Sequence, residues 1–185
     1  MIDVNELRKG VTFELDGNLW KVLEYSHHKP GRGGAIIRTK VHNLRSGATV
    51  DRTFNSGDRV QDVRLDHRQV QYLYKDGDLY HFMDLETYEQ PVLNATILKE
   101  VLPFLTEGLQ VELTEYNGQT LGVELPLTVE LEVVDAEAAV KGDTATGATK
   151  NVVTSTGLHV QVPLFVNSGD SIRVDTRTGD YLTRA

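Results

Sequence analysis

The sequence contains no cysteine and no long run of apolar residues. The lack of cysteine excludes a disulfide framework, a thiolate zinc site and a cysteine nucleophile. No stretch reaches about 18 consecutive apolar residues, so a transmembrane helix is not expected. The polar residues that follow Met1 are unlike a signal peptide. We therefore expect a soluble protein of the cytoplasm with no membrane partner.

Catalytic and nucleotide-binding motifs are missing as well. The sequence has no Gly-Lys dipeptide, hence no phosphate-binding P-loop, and no Gly-x-Ser-x-Gly nucleophile elbow. Its six histidines show no metal-ligand spacing, and no two acidic side chains stand out as an acid/base couple. These absences count against a metal site, a cofactor and an enzyme; a small enzyme of unknown type stays open as an alternative.

The charge is unevenly distributed along the chain. The 185 residues carry 19 basic and 27 acidic side chains, a net charge of −8 with histidine neutral. Residues 1–63 hold 10 basic and 8 acidic side chains, residues 64–126 hold 4 and 11, and residues 127–185 hold 5 and 8. Only the first third is not acidic, so any contact with nucleic acid is expected to involve a local group of cations there.

Turn signals predict a protein made mostly of short strands. Dipeptides that end in glycine recur at intervals of roughly 8–12 residues and separate segments rich in Val, Thr, Leu, Ile and Tyr. Residues 127–133 alternate most clearly, with four apolar residues on one face. A single helix is predicted after Asn94, which can cap it, and before Pro103, which ends it. Charge and turn signals together predict three β modules of about 60 residues, a size at which a core is marginal alone.

The most unusual segment is His28-Lys29-Pro30-Gly31-Arg32-Gly33-Gly34-Ala35. It lies between two strand-like runs, residues 19–25 and 35–41, and is predicted to form the end of a long hairpin. Its glycines and proline offer no bulky side chain to anchor the tip to a core. Two interpretations stay open from the residues alone: a glycine-rich turn with a solvated arginine, or a slender cationic finger for phosphate, sugar or a narrow RNA cavity.

The segment KPGRGGA resembles the tip of bacterial elongation factor P, which usually reads KPGKGGA. The similarity continues along the chain at residues 52–57, 71–74, 82–90, 141–144, 150–152, 157 and 160–169. The sequence is therefore similar to the elongation factor P family, and Arg32 makes it resemble the members with an arginine tip.

The resemblance implies a fold of three small β-barrel domains. These would be an SH3-like (KOW-like) domain over residues 1–63, a central OB-fold domain over 64–126 and a C-terminal OB-fold domain over 127–185, in an L-shaped, tRNA-like arrangement. It implies a monomer that binds the 70S ribosome, both its RNA and its proteins, next to the peptidyl-tRNA. There it would stimulate peptide-bond formation and relieve stalling at consecutive prolines, without being the enzyme itself.

The resemblance also implies roles for particular residues. Arg32 would contact the tRNA end and ribosomal RNA, and its neighbours would shape the tip: Lys29, Pro30, Gly31, Gly33 and Gly34. Further ribosome contacts would come from the C-terminal domain, at Gly142, Asp143, Thr144, Gly147, Tyr181 and Arg184. Arg32 stands where many members carry a modifiable lysine, which excludes lysine-directed β-lysylation here. Arginine-type members either carry a rhamnose or work unmodified, so an enzyme that modifies Arg32 is a candidate partner.

Two alternatives among binding proteins stay open. A paralogue similar to elongation factor P would share the fold and have a different target. A general OB-type module for single-stranded RNA would show aromatic stacking platforms on basic strands. The acidic character of residues 64–185 counts against this second alternative.

Overall fold

The structure is a computed structural model that describes residues 1–138 and 148–185. Strands make up most of it, which confirms the mostly-β prediction. The chain divides into two compact units, one formed by residues 1–66 and 115–121 and the other by residues 67–114 and 122–185. Within the described ranges no helix is long and apolar enough to cross a membrane.

The first sheet has six strands in the order β1-β6-β2-β3-β4-β5. Their bounds are β1 Ile2–Asp3, β2 Thr12–Leu15, β3 Asn18–His28, β4 Ile36–Asn43, β5 Thr49–Asn55 and β6 Arg59–Asp62. A 3₁₀ turn over Val4–Glu6 follows β1, and the Asp3 side chain caps it by accepting from the Asn5 N–H at 2.8 Å. The sheet packs around one apolar cluster: Val4, Leu7, Phe13, Trp20, Val22, Ile37, Val41, Phe54 and Val60.

Two further sheets of five strands follow. The second has the order β11-β10-β7-β8-β9, with β7 Asp66–Asp76, β8 Leu79–Asp84, β9 Val92–Asn94, β10 Gln110–Tyr116 and β11 Gln119–Glu124. The third has the order β14-β13-β12-β15-β16, with β12 Thr128–Ala136, β13 Thr149–Thr154, β14 His159–Pro163, β15 Ser171–Asp175 and β16 Tyr181–Arg184. Each sheet covers an apolar cluster of its own.

The predicted helix is present but shorter than expected. The Asn94 side chain accepts a hydrogen bond from the Ile97 N–H at 3.2 Å, which confirms the cap. The helix α1 covers only Ala95–Leu98, and Pro103 lies inside a separate 3₁₀ turn, Leu102–Phe104. Since proline has no N–H and a fixed φ, it fits the first turn of a new helical segment better than the interior of an existing one.

The alternation predicted for residues 127–133 is correct for three of its four apolar residues. Val129, Leu131 and Val133 are buried in β12. Leu127 is 66% exposed, contrary to the prediction. The ladder between β12 and β15 begins only at Thr128, so Leu127 precedes the strand and no neighbouring strand covers it.

Apolar side chains join the two sheets of the second unit. Phe104, from the 3₁₀ turn that follows α1, is 8% exposed and belongs to the cluster of the third sheet. Leu109 and Leu125 pack against the clusters of both sheets. The Thr156 hydroxyl, in the turn between β13 and β14, donates to the carbonyl oxygen of Pro103 at 2.5 Å. The packing of this unit is therefore continuous from one sheet to the next.

Replacing Phe104 by alanine is expected to lower the free energy of unfolding by about 3–5 kcal/mol, since it empties a buried site at this junction. Urea denaturation followed by far-ultraviolet circular dichroism would measure the loss. Phe165→Ala is the matched control, because Phe165 is 57% exposed and its removal should cost about 1 kcal/mol or less. Equal losses in the two variants would contradict the assignment of Phe104 to the core.

The turn between β8 and β9 is organised by the carboxylate of Asp84. Its Oδ1 accepts hydrogen bonds from the backbone N–H groups of Thr87 at 3.0 Å and Glu86 at 2.8 Å. Its Oδ2 lies 3.3 Å from Nη1 of Arg68, and the side chain of Asp84 is only 5% exposed. The two N–H groups first, and then the charge of Arg68, hold the pKa of Asp84 below its ordinary value of 3.8.

Asp84 is expected to make the stability of the protein depend on pH in the acid range. A pKa lower in the folded than in the unfolded state stabilises the fold above the unfolded value, and this contribution disappears as the pH falls through the folded value. The urea midpoint of the wild type should therefore exceed that of Asp84→Asn at pH 7, and the two should converge below about pH 4. A difference that stays constant between pH 7 and pH 2 would exclude this linkage.

Candidate functional site

The segment 28–35 closes the long hairpin of β3 and β4, as predicted. The two strands pair from Trp20 opposite Asn43 to His28 opposite Ile36. β5 continues alongside β4 up to Asn55, which pairs with Ile36. The loop of residues 29–35 therefore rises from a ladder of three strands rather than from an isolated two-stranded arm.

The base of this loop is fixed from both sides. Ile37 is fully buried in the core of the first sheet, one residue after β4 begins. The Ser56 N–H, in the turn that follows β5, donates to the carbonyl oxygen of Ala35 at 2.8 Å. Backbone pairing and burial thus hold the residues at which the loop begins and ends.

The tip itself is exposed and has no anchor. Residues 31–34 are all exposed, Lys29 is exposed, and Pro30 is half-buried. Gly33 has a φ of 140°, a conformation that favours glycine. A Cβ atom added at Gly31, Gly33 or Gly34 would meet no atom within 4 Å. The six predicted tip residues therefore lie together in one loop, and all of them except Pro30 are exposed.

Arg32 is placed at the exposed end of this loop. Among the residues that the structure describes, its guanidinium forms no hydrogen bond and no ion pair. An arginine presents five N–H donors in a planar fork that matches phosphate and carboxylate oxygens. Since no carboxylate of the described chain occupies that fork, it is available to an external acceptor.

A second exposed cation lies on the same hairpin. Arg38 points to the outer face of β4, opposite Ser26 on β3 and Thr53 on β5. These residues line a surface pocket of about 340 Å³ together with parts of the same three strands. Within the described ranges Arg38 has no ionic partner. Arg38 is not among the residues predicted from motifs, although the outward phase of β4, one residue after the apolar Ile37, indicates an exposed side chain there.

The other cations of this pocket are already paired. Lys40 Nζ lies 3.1 Å from a carboxylate oxygen of Glu24. The guanidinium of Arg52 stacks over the ring of Trp20 at 5.0 Å, and its Nη1 lies 3.8 Å from an Asp16 oxygen. Near the tip, within the described ranges, the cations without an ionic partner are Lys29, Arg32 and Arg38.

The remaining predicted site residues belong to the C-terminal part of the chain. Tyr181 and Arg184 lie on one strand, β16. Tyr181 is half-buried and packs against the cluster of the third sheet, so it has a structural role. Arg184 is exposed, and its guanidinium stacks over the ring of Phe165 at 5.5 Å. The other four predicted contacts lie outside the described residues: Gly142, Asp143, Thr144 and Gly147.

The arrangement is suited to binding rather than to acid/base chemistry. Among the residues that the structure describes, no carboxylate pairs with Arg32. Across residues 1–138 and 148–185, no group of three His, Asp or Glu side chains could hold a metal ion. The tip offers a fixed positive charge and directed N–H donors on a narrow support.

Comparison with known proteins identifies this architecture. Residues 3–60 match the family model described as "Elongation factor P (EF-P) KOW-like domain", residues 65–123 match "Elongation factor P (EF-P) OB domain", and residues 129–184 match "Elongation factor P, C-terminal". These matches confirm the expected succession of an SH3-like, KOW-type barrel and OB-type barrels. A protein of this class is a translation elongation factor.

Curated relatives extend the match over the whole chain. The Elongation factor P of Moorella thermoacetica is 49% identical over 185 residues, 100% of both chains. The Elongation factor P of Pelotomaculum thermopropionicum is 46% identical over 184 residues, again covering 100% of both. The chain belongs to the elongation factor P family.

Solved structures with a similar fold include translation initiation factors. Eukaryotic translation initiation factor 5A from Methanococcus jannaschii is 26% identical, with a TM-score of 0.52 over 68% of this chain and 90% of that one. A translation initiation factor eif-5a family protein from Naegleria fowleri is 15% identical, with a TM-score of 0.51 over 67% of this chain and 96% of that one. The second likeness concerns the fold alone.

The stability of the protein is expected to be insensitive to the tip. Arg32→Ala should change the free energy of unfolding by no more than about 0.5 kcal/mol, because the side chain makes no contact that folding requires. Ile37→Ala, at the base of the same hairpin, should cost about 2–5 kcal/mol. The fluorescence of Trp20, which lies in the same core, would report both in urea. A large loss in Arg32→Ala would show that the tip is part of the folded core.

Proposed function

We propose that this protein binds the 70S ribosome beside the peptidyl-tRNA and relieves stalling at consecutive prolines by positioning the tRNA acceptor end with Arg32. The observation that carries the proposal is the unpaired guanidinium of Arg32 on an exposed glycine-rich loop above a three-stranded base. Membership of the elongation factor P family supports it. Ribosomal RNA and the end of the peptidyl-tRNA are the proposed ligands of the tip.

The geometry of the loop suits a confined site. Glycines at positions 31, 33 and 34 keep the tip narrow, so RNA can approach its backbone closely. Because the base of the loop is already fixed, the tip loses less conformational entropy on binding than a loop with a mobile base would. Holding a reactant in a productive geometry reduces the entropic part of the activation barrier. The protein would thus accelerate peptide-bond formation without an acid, base or nucleophile of its own, acting as a monomer in the cytoplasm and not as an enzyme.

The charge of the protein bears on how it would bind RNA. The net charge of −8 opposes approach to phosphate. Arg32, Lys29 and Arg38 form a local group of exposed cations on one hairpin and offset this repulsion there. Since each phosphate contact releases counterions, ribosome binding should weaken as salt concentration rises.

Arg32 is also the proposed site of covalent modification. It is exposed, and an arginine-modifying enzyme could reach it without unfolding the hairpin. The mass of the native protein would show whether a group such as rhamnose is attached. The tip residues Lys29, Pro30, Gly31, Gly33 and Gly34 are proposed to shape the loop.

The third module is proposed to supply a second set of ribosome contacts. Arg184 is exposed on β16, where it can meet RNA, and Tyr181 lies on the same strand. Gly142, Asp143, Thr144 and Gly147 are proposed contacts on the strength of the family resemblance alone. We place the domain boundaries of this arrangement at residues 1–63, 64–126 and 127–185.

The function of Arg32 can be tested in a reconstituted translation system with a template that encodes consecutive prolines. Arg32→Ala is expected to reduce the rate of synthesis through the prolines at least about tenfold, which corresponds to ~1.4 kcal/mol of activation free energy. Arg32→Lys keeps the charge and loses the planar fork, so an intermediate rate is expected. Arg45→Ala is the matched control, because Arg45 is an exposed arginine of the same module that bonds to the Gly17 carbonyl oxygen.

Two results would count against the proposal. Wild-type rescue by Arg32→Ala would remove Arg32 from the mechanism. Binding to free RNA as tight as binding to purified ribosomes would favour a general RNA-binding module instead.

A further inference from the structure

A single bulky residue adopts a left-handed backbone conformation among the described residues. The positive-φ positions there comprise eleven glycines, together with Asp16, Asn117 and Tyr88. Aspartate and asparagine tolerate this conformation because their short side chains bond locally, whereas a tyrosine is disfavoured by its Cβ and ring. Tyr88, with a φ of 61°, is the one residue of this group whose type does not favour the left-handed conformation.

The backbone at Tyr88 is held in this conformation by its surroundings. The Tyr88 N–H donates to the Asp84 carbonyl oxygen at 3.0 Å, and the Asp84 N–H donates to that of Glu89 at 2.7 Å. Arg68 Nη1 bridges the turn, 3.3 Å from Asp84 Oδ2 and 3.0 Å from Glu89 Oε2. The N–H groups of Glu86 and Thr87, which donate to Asp84 Oδ1, complete the frame. A disfavoured conformation held by this many contacts is typical of a functional position.

The ring of Tyr88 gains little from the folded state. It is 70% exposed, the highest value among the large hydrophobic side chains of the described chain. Its ring has no aromatic or cation partner there, and its hydroxyl has no hydrogen bond. The fold therefore fixes the backbone of an aromatic residue whose side chain lies in solvent, where the ring and its hydroxyl are open to a partner.

The charge around Tyr88 selects the kind of partner. Glu86 and Glu89 belong to the same turn as Tyr88 and are exposed, and the Glu86 carboxylate has no partner in the described ranges. Residues 64–126 hold 11 acidic and 4 basic side chains. Such surroundings repel phosphate and attract guanidinium or ammonium groups. An arginine or lysine can stack on a tyrosine ring while it pairs with a neighbouring carboxylate.

We propose that the turn of residues 84–90 is a docking site for a protein segment that carries arginine or lysine, with Tyr88 as the anchor. The cation of the partner stacks on the Tyr88 ring and pairs with Glu86. This site is independent of the Arg32 tip, and the inference does not rest on the proposed function.

A titration of the full, ¹⁵N-labelled chain tests the proposal. Hexa-arginine is the probe, and a uridine heptanucleotide serves as the RNA counterpart. Hexa-arginine should shift the amide signals of residues 86–90 in a saturable way. Tyr88→Ala should weaken its affinity about threefold, as expected when an exposed cation–π contact is lost. Tyr88→Phe should bind as the wild type does, because the ring is kept.

Tyr74→Ala is the matched control. Tyr74 is another exposed tyrosine of the same module, stacked on His81 at 4.4 Å, and its removal should leave the affinity for hexa-arginine unchanged. Two results would overturn the proposal: equal affinities of Tyr88→Ala and wild type, or signals of residues 86–90 that respond to the heptanucleotide and not to hexa-arginine.

A thermal measurement separates docking from folding. If the Tyr88 ring binds a partner and does not stabilise the fold, Tyr88→Gly should not lower the melting temperature. Glycine adopts the left-handed conformation without strain. A clear fall in the melting temperature of Tyr88→Gly would assign the ring to folding and overturn the proposal.

Discussion

The rest of the structure depends on one constraint: each sheet is small, and it must still bury enough apolar surface to be stable. A module of about 60 residues buries only about 60% of the surface that its unfolded chain exposes. The first sheet wraps around one cluster with Phe13 and Trp20 at its centre. The second and third sheets join their clusters through Phe104, Leu109 and Leu125. Most core side chains come from strands, and residues of the connecting segments, such as Leu7 and Phe104, complete the cores.

Much of this fold could be predicted from sequence, because its signals are local. The hairpin of β3 and β4, the Asn94 cap and the inward residues of β12 each depend on neighbours within a few positions. The failures depend on distant partners. Leu127 continues the alternation of β12 but lies outside the ladder with β15, and no pattern near Leu127 shows where that ladder begins.

The same distinction applies to the candidate sites. The exposed position of Arg32 could be predicted, because the glycines on either side of it offer no side chain for a core. The backbone conformation of Tyr88 could not, because it depends on Arg68, which lies 20 positions earlier in the chain and bridges the turn only after the sheet has formed. The sequence shows that residues 1–63 are not acidic and that residues 64–126 are. Only the structure shows which charged side chains there, such as Arg32 and Glu86, have no ionic partner in the described chain. A cationic hairpin and an acidic turn on different modules would reject each other's partners as well as attract their own.

The isolation of the tip has an evolutionary consequence. The exposed side chain at position 32 has no hydrogen bond or ion pair with the described chain, so exchange between lysine and arginine there is expected to cost little in folding. Selection can then act on the chemistry of that side chain alone, while the ladder of β3, β4 and β5 stays the same. A change of the residue at position 32 would therefore require no compensating substitution elsewhere in the described chain. The side chain at the tip can therefore evolve separately from the strands that support it.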